Sequence, residues 1–364
     1  MSHIGFRCTN CNLLHQEDIL TLECLECKYP LDIEYSNNLI ARNSPIHNSI
    51  NGFSLSEGNT PIVQLHSLDR MLGLKFLYGK LEYLNPTGSF KDRGVAVMLT
   101  IAKENGVNEL VEDSSGNAGA SVAAYAARLG ITAHIFAPSS TPQAKLTQIK
   151  KYGPKLHLID GTRADTTKSA VAYVKNTGLM YASHALSPYF LDGMKSFAYE
   201  VVEQFENDVP DHLVIPVGNG GLFLGAWKGF MELIDAGRIK KMPRLHCIQS
   251  SVSMPIVADY NEVDWKLDTL QGTVAGGICV ESPARRRQIL EVLRMTEGTA
   301  LDVDDIDILR WQNKMARKEG IFAEPTSAVA FAGLEKLVNQ KVISSSEIVL
   351  VPVTGFGLKD IILD

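Results

Sequence analysis

The sequence predicts an α/β protein with two mainly parallel sheets and a small cysteine-containing module at its N-terminus. From residue 75 onward, strand-like and helix-like segments alternate, which is the pattern of parallel sheets flanked by helices. The chain has 364 residues, enough for two domains of ~150 residues and a small addition. Four of the six cysteines fall within the first 27 residues, which indicates a separate module there.

Composition and charge exclude several classes of protein. Hydrophobic residues make up 45% and charged residues 21% of the chain, which excludes disorder over most of its length. A net charge of −6 disfavours binding to nucleic acids or to anionic membranes. The most apolar stretch, residues 122–137, is interrupted by Arg128 and His134, so no membrane helix is expected. Because the N-terminus lacks the apolar segment of a secretory signal, we expect a cytoplasmic protein.

The N-terminal cysteines predict a structural zinc site. Their spacing is C-x2-C-x12-C-x2-C, and each C-x2-C turn can direct two thiolates at one ion. Four thiolates fill a tetrahedral shell and leave no position for water, so a structural role is expected. Four unrelated free thiols are the alternative. Residues 1–36 carry two basic and six acidic side chains, which disfavours a nucleic-acid-binding ribbon. The expected ligands are Cys8, Cys11, Cys24 and Cys27.

The elements of the α/β part can be assigned in order. Residues 37–60 are rich in Asn, Ser and Gly and predict a linker or a wrapping arm. Helices are expected at 89–106 and 117–130, the second rich in small residues and ending at a glycine cap. In open α/β sheets, ligands bind where the carboxyl ends of strands meet helix starts. Strands are expected at 75–82, 109–113, 131–138, 155–160, 179–183, 212–218, 244–250 and 347–353.

Three of these junctions carry chemically suitable residues. Lys91 lies in the first turn of a helix, where the positive end of the helix dipole favours the neutral, nucleophilic amine. Residues 114–119 combine small side chains with free backbone N–H groups that suit a carboxylate. Residues 217–222 form a glycine-rich turn that suits a phosphate but is neither a Walker loop nor a dinucleotide fingerprint. Taken singly, each has an ordinary alternative: a solvated surface lysine or a tight turn.

Together the junctions supply an amine, a carboxylate nest and a phosphate cradle without Mg²⁺ ligands. Pyridoxal phosphate acting on an amino acid needs all three. The segment NPTGSFKDRG at residues 85–94 makes the pattern specific, because the chain there resembles threonine synthase and its relatives. These are the pyridoxal-phosphate enzymes of fold type II. The resemblance extends from GNTP at 58–61 to TGFGLKD at 354–360 and so covers most of the chain.

The resemblance implies an architecture similar to that of the tryptophan synthase β subunit. Two three-layer α/β domains would hold the cofactor between them, and the N-terminal zinc ribbon would be an addition found on many relatives. The larger domain would comprise residues 37–92 and 188–364, and the smaller one residues 93–187. The zinc ribbon would occupy residues 1–36. The expected partner is a small amino-acid substrate, and the expected assembly is a homodimer.

The resemblance also assigns roles to individual residues. Lys91 would form a Schiff base with the cofactor and, once freed, would act as the base for the Cα proton. Asn117 would bond to the 3′-oxygen of the pyridine ring, and Thr354 would face its nitrogen. A hydroxyl there leaves the nitrogen largely unprotonated, which favours elimination and replacement over transamination. The phosphate would be held by Gly218, Asn219, Gly220, Gly221 and Leu222, and the substrate by Ser114, Ser115, Ala118 and Ser183.

The sequence departs from threonine synthase where that enzyme binds the phosphate of phosphohomoserine. Ala118, Phe190 and Leu222 stand where polar contacts are expected, and only Ser183 clearly remains. In threonine synthase an arginine that binds the phosphate stands at the position of Phe190, and His184, Arg163 or Lys168 could replace this missing arginine. The leading interpretation is a threonine synthase-like lyase that eliminates or replaces a group at Cβ or Cγ of a small amino acid. One alternative is a β-elimination or β-replacement enzyme similar to the serine/threonine dehydratases or to cysteine synthase. The second is a non-catalytic protein that binds amino acids or the cofactor.

Overall fold

The structure, a computed structural model, describes residues 4–35, 53–267 and 272–360. The strands are β1 (Ile4–Cys8), β2 (Leu14–Gln16), β3 (Leu31–Tyr35), β4 (Ile62–Gln64), β5 (Phe76–Lys80), β6 (Glu109–Glu112), β7 (Thr132–Pro138), β8 (Lys155–Ile159), β9 (Met180–Tyr181), β10 (His212–Pro216), β11 (Arg244–Ser250), β12 (Ala300–Val303) and β13 (Ile348–Pro352). The helices are α1 (His66–Leu72), α2 (Lys91–Glu104), α3 (Asn117–Leu129), α4 (Gln143–Lys151), α5 (Arg163–Thr177), α6 (Pro188–Met194), α7 (Ser196–Gln204), α8 (Gly221–Asp235), α9 (Pro255–Tyr260), α10 (Arg286–Met295), α11 (Asp305–Glu319) and α12 (Pro325–Asn339).

The chain divides into two compact units. The first unit contains Met1–Glu57 and Lys91–Met194, and the second contains Gly58–Phe90 and Lys195–Asp364. Within the described ranges, every helix is too short or too polar to cross a lipid bilayer.

The first unit contains a parallel sheet in the order β8-β7-β6-β9. Helix α3 packs close to this sheet because its residues are small. A Cβ atom on Gly119 would lie 1.9 Å from the backbone oxygen of Ser114. Helix α2 lies against α3 and α6, and a Cβ on Gly94 would lie 2.6 Å from the ring and the backbone oxygen of Phe190. The four parallel strands of this unit confirm the parallel sheet that the alternating elements predicted.

The N-terminal ribbon forms its own antiparallel sheet in the order β2-β1-β3. It contacts helix α6 of the same unit through two aromatic residues. The rings of Phe6 and Tyr189 meet edge to face with centroids 5.6 Å apart, and the Tyr35 hydroxyl donates to Asp192 over 2.6 Å. The ribbon therefore rests on the helix that also carries Phe190.

The second unit contains a six-stranded sheet in the order β12-β11-β10-β13-β5-β4. All neighbouring strands are parallel except β4, which pairs antiparallel with β5 at the edge. Helix α12 covers one face with a fully buried stripe that includes Val329 and Phe331, and Trp311 of α11 packs on it. The sequence did not predict β4 or β12, which are the short, only partly buried strands at the two edges of this sheet.

Candidate active site

Lys91 is the first residue of helix α2 and is partly buried. The residues just before Lys91 belong to the second unit and are held there by backbone hydrogen bonds. Phe90 donates its N–H to the backbone oxygen of Thr354 over 3.1 Å. In the same way Phe356 donates to the oxygen of Gly88, whose φ of +85° favours glycine. The Nζ atom of Lys91 lies 5.8 Å from the ring centroid of Phe190. The amine is thus held at the start of a helix, at the position expected from the sequence.

The turn between β6 and α3 contains the predicted carboxylate-binding residues. Ser114 and Ser115 are partly buried, and the Ser114 hydroxyl accepts the N–H of Gly116 over 3.3 Å. Asn117 begins helix α3, which is 13 residues long, and the start of such a helix suits an anion. Helix α3 approaches Ser114 so closely that only glycine fits at position 119, and this close packing fixes the turn.

Ser183 is buried just after β9. Because β9 pairs in parallel with β6, the carboxyl ends of both strands lie at the same edge of the sheet. At the same edge His184 pairs with Glu112, whose Oε1 lies 2.8 Å from Nδ1 of the histidine. The sequence did not single out this pair. The signal that could have found it is a glutamate at the carboxyl end of a buried strand, where an unpaired charge would be costly.

The residues proposed to replace the missing arginine already have partners. Arg163 forms an ion pair of 3.1 Å with Asp113, which also accepts the hydroxyl of Thr167 over 2.6 Å. Burial opposes ionisation of Asp113, but the Arg163 guanidinium and the Thr167 hydroxyl lower its pKa. Lys168 is largely exposed and lies 3.8 Å from Asp165.

Two of the three apolar substitutions lie in the first unit and are buried. Ala118 is 2% exposed, and Phe190 is 1% exposed because its ring packs against α2 at Gly94. Leu222, in the second unit, is 3% exposed. All three are therefore packed apolar side chains.

In the second unit, the glycine-rich turn connects β10 to α8. Gly220 precedes the helix with φ +79°, and a Cβ there would lie 2.4 Å from the side chain of Ile289. A Cβ on Gly218 would lie 3.0 Å from the backbone of Ile278. Asn219 and Gly221 complete the turn, and Gly221 is the first residue of α8. Glycine at 218 and 220 thus allows this turn to pack against Ile278 and Ile289, and the N–H groups of the first helical turn suit a phosphate.

Thr354 lies just after β13 and is 3% exposed. Its hydroxyl is 2.9 Å from that of Ser327, which also accepts the N–H of Gly355 over 3.0 Å. Ser327 lies in the first turn of α12 and was not identified from the sequence. The site thus holds a pair of hydroxyls at the position assigned to the ring nitrogen.

These residues fit pyridoxal phosphate by their chemistry. The first unit offers the Lys91 amine and the Asn117 amide, and the second offers the N–H groups of the glycine-rich turn and the Thr354 hydroxyl. The turn at 218–221 carries glycines where the chain packs closely on Ile278 and Ile289, and its N–H groups at the start of α8 suit a phosphate.

The four N-terminal cysteines are brought together in the ribbon. Their sulfur atoms all lie within 4.8 Å of one another, with Cys8 to Cys27 at 3.4 Å and Cys11 to Cys24 at 3.6 Å. Zinc–sulfur bonds of about 2.3 Å in a tetrahedron place the sulfurs about 3.8 Å apart. The residues that follow the two C-x2-C turns, Asn12 and Lys28, have positive φ, so the two turns share one geometry. The cluster therefore fits a tetrahedral zinc site.

Comparisons with known proteins agree with this geometry. The family model described as pyridoxal-phosphate dependent enzyme matches residues 53–355. Threonine synthase of Methanocaldococcus jannaschii is 37% identical over 319 residues, which cover 87% of this chain and 78% of that protein. Threonine synthase of Methanosarcina acetivorans is 33% identical over 374 residues, covering 97% and 92%.

Solved structures share the fold at lower identity. Threonine deaminase isoform 2 of Solanum lycopersicum is similar with a TM-score of 0.71 and 22% identity, covering 85% of this chain and 83% of that one. Maize serine racemase has a TM-score of 0.70 and 22% identity, covering 85% and 93%. The fold is therefore that of the type II enzymes. From its family match and its curated relatives, the chain belongs to the pyridoxal-phosphate-dependent enzymes and is a carbon–oxygen lyase that resembles threonine synthase.

Proposed function

We propose that the protein eliminates or replaces an oxygen-linked group at Cβ or Cγ of a small amino acid, with pyridoxal phosphate attached at Lys91. The observation that carries the proposal is the position of Lys91 at the start of α2, next to a segment hydrogen-bonded to the Thr354 turn. When bound, the cofactor withdraws electrons from the substrate's Cα. Thr354 would place a hydroxyl, and not a carboxylate, beside the ring nitrogen of the cofactor. A hydroxyl does not keep that nitrogen protonated, whereas a carboxylate would. This favours elimination and replacement over transamination.

The remaining residues would bind the substrate and move its proton. Ser114 and Ser115, with the N–H groups that begin α3, would bind the substrate carboxylate, and Asn117 would orient the cofactor ring. Lys91 Nζ would take the proton from Cα. Ser183 and Ala118 would border the substrate side chain, and Gly218, Asn219, Gly220, Gly221 and Leu222 would bind the cofactor phosphate.

The covalent assignment can be tested directly. Borohydride reduction of the holoenzyme followed by peptide mass spectrometry should place the cofactor on Lys91. Lys91→Ala should lose cofactor absorption and turnover, whereas Lys103→Ala, near the other end of the same helix, should keep both. Attachment of the cofactor to a different lysine would contradict the proposal.

Within this function, we propose that the preferred leaving group is uncharged. A phosphate dianion would need a cationic partner, and burying it against apolar side chains such as Phe190 and Ala118 is unfavourable. Hydroxyl or acyl groups, as on serine, threonine or O-acetylserine, carry no such cost. The test is kcat/KM for these amino acids and for phosphohomoserine, because this ratio reports differential binding of transition states. Efficient threonine formation from phosphohomoserine, with no activity on the smaller substrates, would instead identify a threonine synthase.

We propose that the ribbon binds one structural zinc ion through Cys8, Cys11, Cys24 and Cys27. The mutual sulfur distances support this, and four thiolates leave no open coordination position.

A cytoplasmic location is proposed because four clustered thiols persist in a reducing compartment. We likewise propose a homodimer and a division into a ribbon at 1–36, a smaller domain at 93–187 and a larger domain at 37–92 and 188–364. This division differs from the two compact units in assigning residues 188–194 to the larger domain. Light scattering and limited proteolysis test these two proposals.

A further inference from the structure

A buried acid–base pair that the proposed roles leave unused lies at the end of β6. The Glu112 side chain is 0% exposed, and its Oε1 lies 2.8 Å from Nδ1 of His184. Its other oxygen, Oε2, has no hydrogen-bond partner in the described part of the chain. A buried oxygen without a partner costs stability, so stability alone does not explain the pair. The bond occupies Nδ1 of His184, which leaves Nε2 as the nitrogen that can meet a ligand.

Segments that carry the proposed function surround this pair. Glu112 is followed by the Ser114–Asn117 turn, and His184 directly follows Ser183. The ring of Phe190 lies 6.0 Å from that of His184 and 5.8 Å from Nζ of Lys91. The imidazole and the reactive amine therefore border the same aromatic ring.

The surroundings favour an uncharged pair. Burial, together with the Asp113 carboxylate, raises the pKa of Glu112 well above its ordinary value. Burial, together with the Lys91 ammonium, lowers the pKa of His184 to about 3. A protonated Glu112 donates to Nδ1, so the single hydrogen of the neutral imidazole is on Nε2. The pair thus presents one uncharged N–H donor.

We propose that His184 donates a hydrogen bond from Nε2 to the oxygen of the substrate's leaving group and that Glu112 is the positioning residue that holds the ring for this contact. The proposal rests on the proposed function and names the leaving groups it accepts. These are uncharged oxygen groups, such as a hydroxyl or an acyl ester. A phosphate dianion gains less, because the neutral imidazole brings no charge and the nearby Arg163 is balanced by Asp113.

The test uses the holoenzyme with L-serine, L-threonine and O-acetyl-L-serine as probes. His184→Phe keeps an aromatic ring but removes the donor, and should lower kcat/KM for the accepted amino acid by about tenfold or more. His184→Gln and Glu112→Gln keep N–H donors at equivalent places and should stay within about threefold of the parent enzyme. Glu112→Leu should behave like His184→Phe. His157→Gln, at a half-buried histidine on β8, is the matched control.

A second readout does not depend on turnover. In protein labelled with ¹⁵N-histidine, the His184 signal should show its hydrogen on Nε2 and should shift when the amino acid is added. The His157 signal should not shift.

Unchanged kcat/KM in His184→Phe, or a His184 signal that does not respond to the amino acid, would overturn the inference. Failure of the proposed preference for uncharged leaving groups looks different, because the parent enzyme itself would then turn over none of the probes.

Discussion

Lys80 is a fully buried cation whose removal should destabilise the second unit. It ends β5, and its Nζ lies 2.9 Å from Oε2 of Glu200, from the backbone oxygen of Thr60 and from Oε1 of Gln204. The Lys80 side chain is 0% exposed and that of Glu200 is 11% exposed. Lys80→Met keeps the length of the side chain but leaves a buried carboxylate without its cation. Breaking a buried pair in this way costs about 3–5 kcal/mol.

The double variant separates lost pairing from lost packing. In Lys80→Met/Glu200→Gln both charges are gone, so the loss should fall to about 1–2 kcal/mol, since replacing a whole buried pair is often tolerated. The free energy of unfolding can be measured in urea by tryptophan fluorescence. All three tryptophans, Trp227, Trp265 and Trp311, belong to the second unit and report on it alone. The reasoning would be refuted if Lys80→Met lost less than about 1 kcal/mol, or if the double variant were less stable than either single one.

Two further predictions concern the zinc ribbon and a buried histidine pair. We expect one zinc per chain, and Cys24→Ser should release it and lower the melting temperature; metal analysis that finds no zinc in the parent protein would contradict the site. His246 accepts the N–H of Thr299 at Nδ1 and bonds to His212 through Nε2, and burial lowers its pKa to about 3. An unfolded histidine has a pKa of about 6.5, so stability should be complete above that pH and fall by up to about 1.4 kcal/mol per pH unit below it. Unfolding measured from pH 7.5 to 5 should show this decline, and an equal decline in His246→Gln would assign it to other groups.

Local patterns in the sequence were sufficient for the main elements and for their junctions. The strand expected at 212–218 is β10, a short continuous apolar run, and the helix expected at 117–130 is α3, a run of small residues that ends at a glycine. The C-x2-C pairs and Lys91 could also be recognised, since their chemistry depends on spacing and on position in an element. Strands β4 and β12 were missed, because they lie at the edges of their sheet and are only partly buried, so they carry no continuous apolar run.

The tertiary structure decided which distant side chains meet. Glu112 and His184 are 72 residues apart, and Ser327 and Thr354 are 27 apart, so no local pattern links the members of either pair. Their contacts depend on which strands become neighbours and on how closely the helices pack on the sheets. The same holds for Phe190, which the sequence placed at a phosphate-binding position. Packing of α6 against Gly94 of α2 turns its ring beside Lys91 and His184. The sequence alone therefore determined the family and the cofactor and singled out Lys91, because motifs such as NPTGSFKDRG can be recognised without knowledge of the fold. The contacts of His184 with Glu112 and Phe190 were decided only by the fold, because these residues meet through packing.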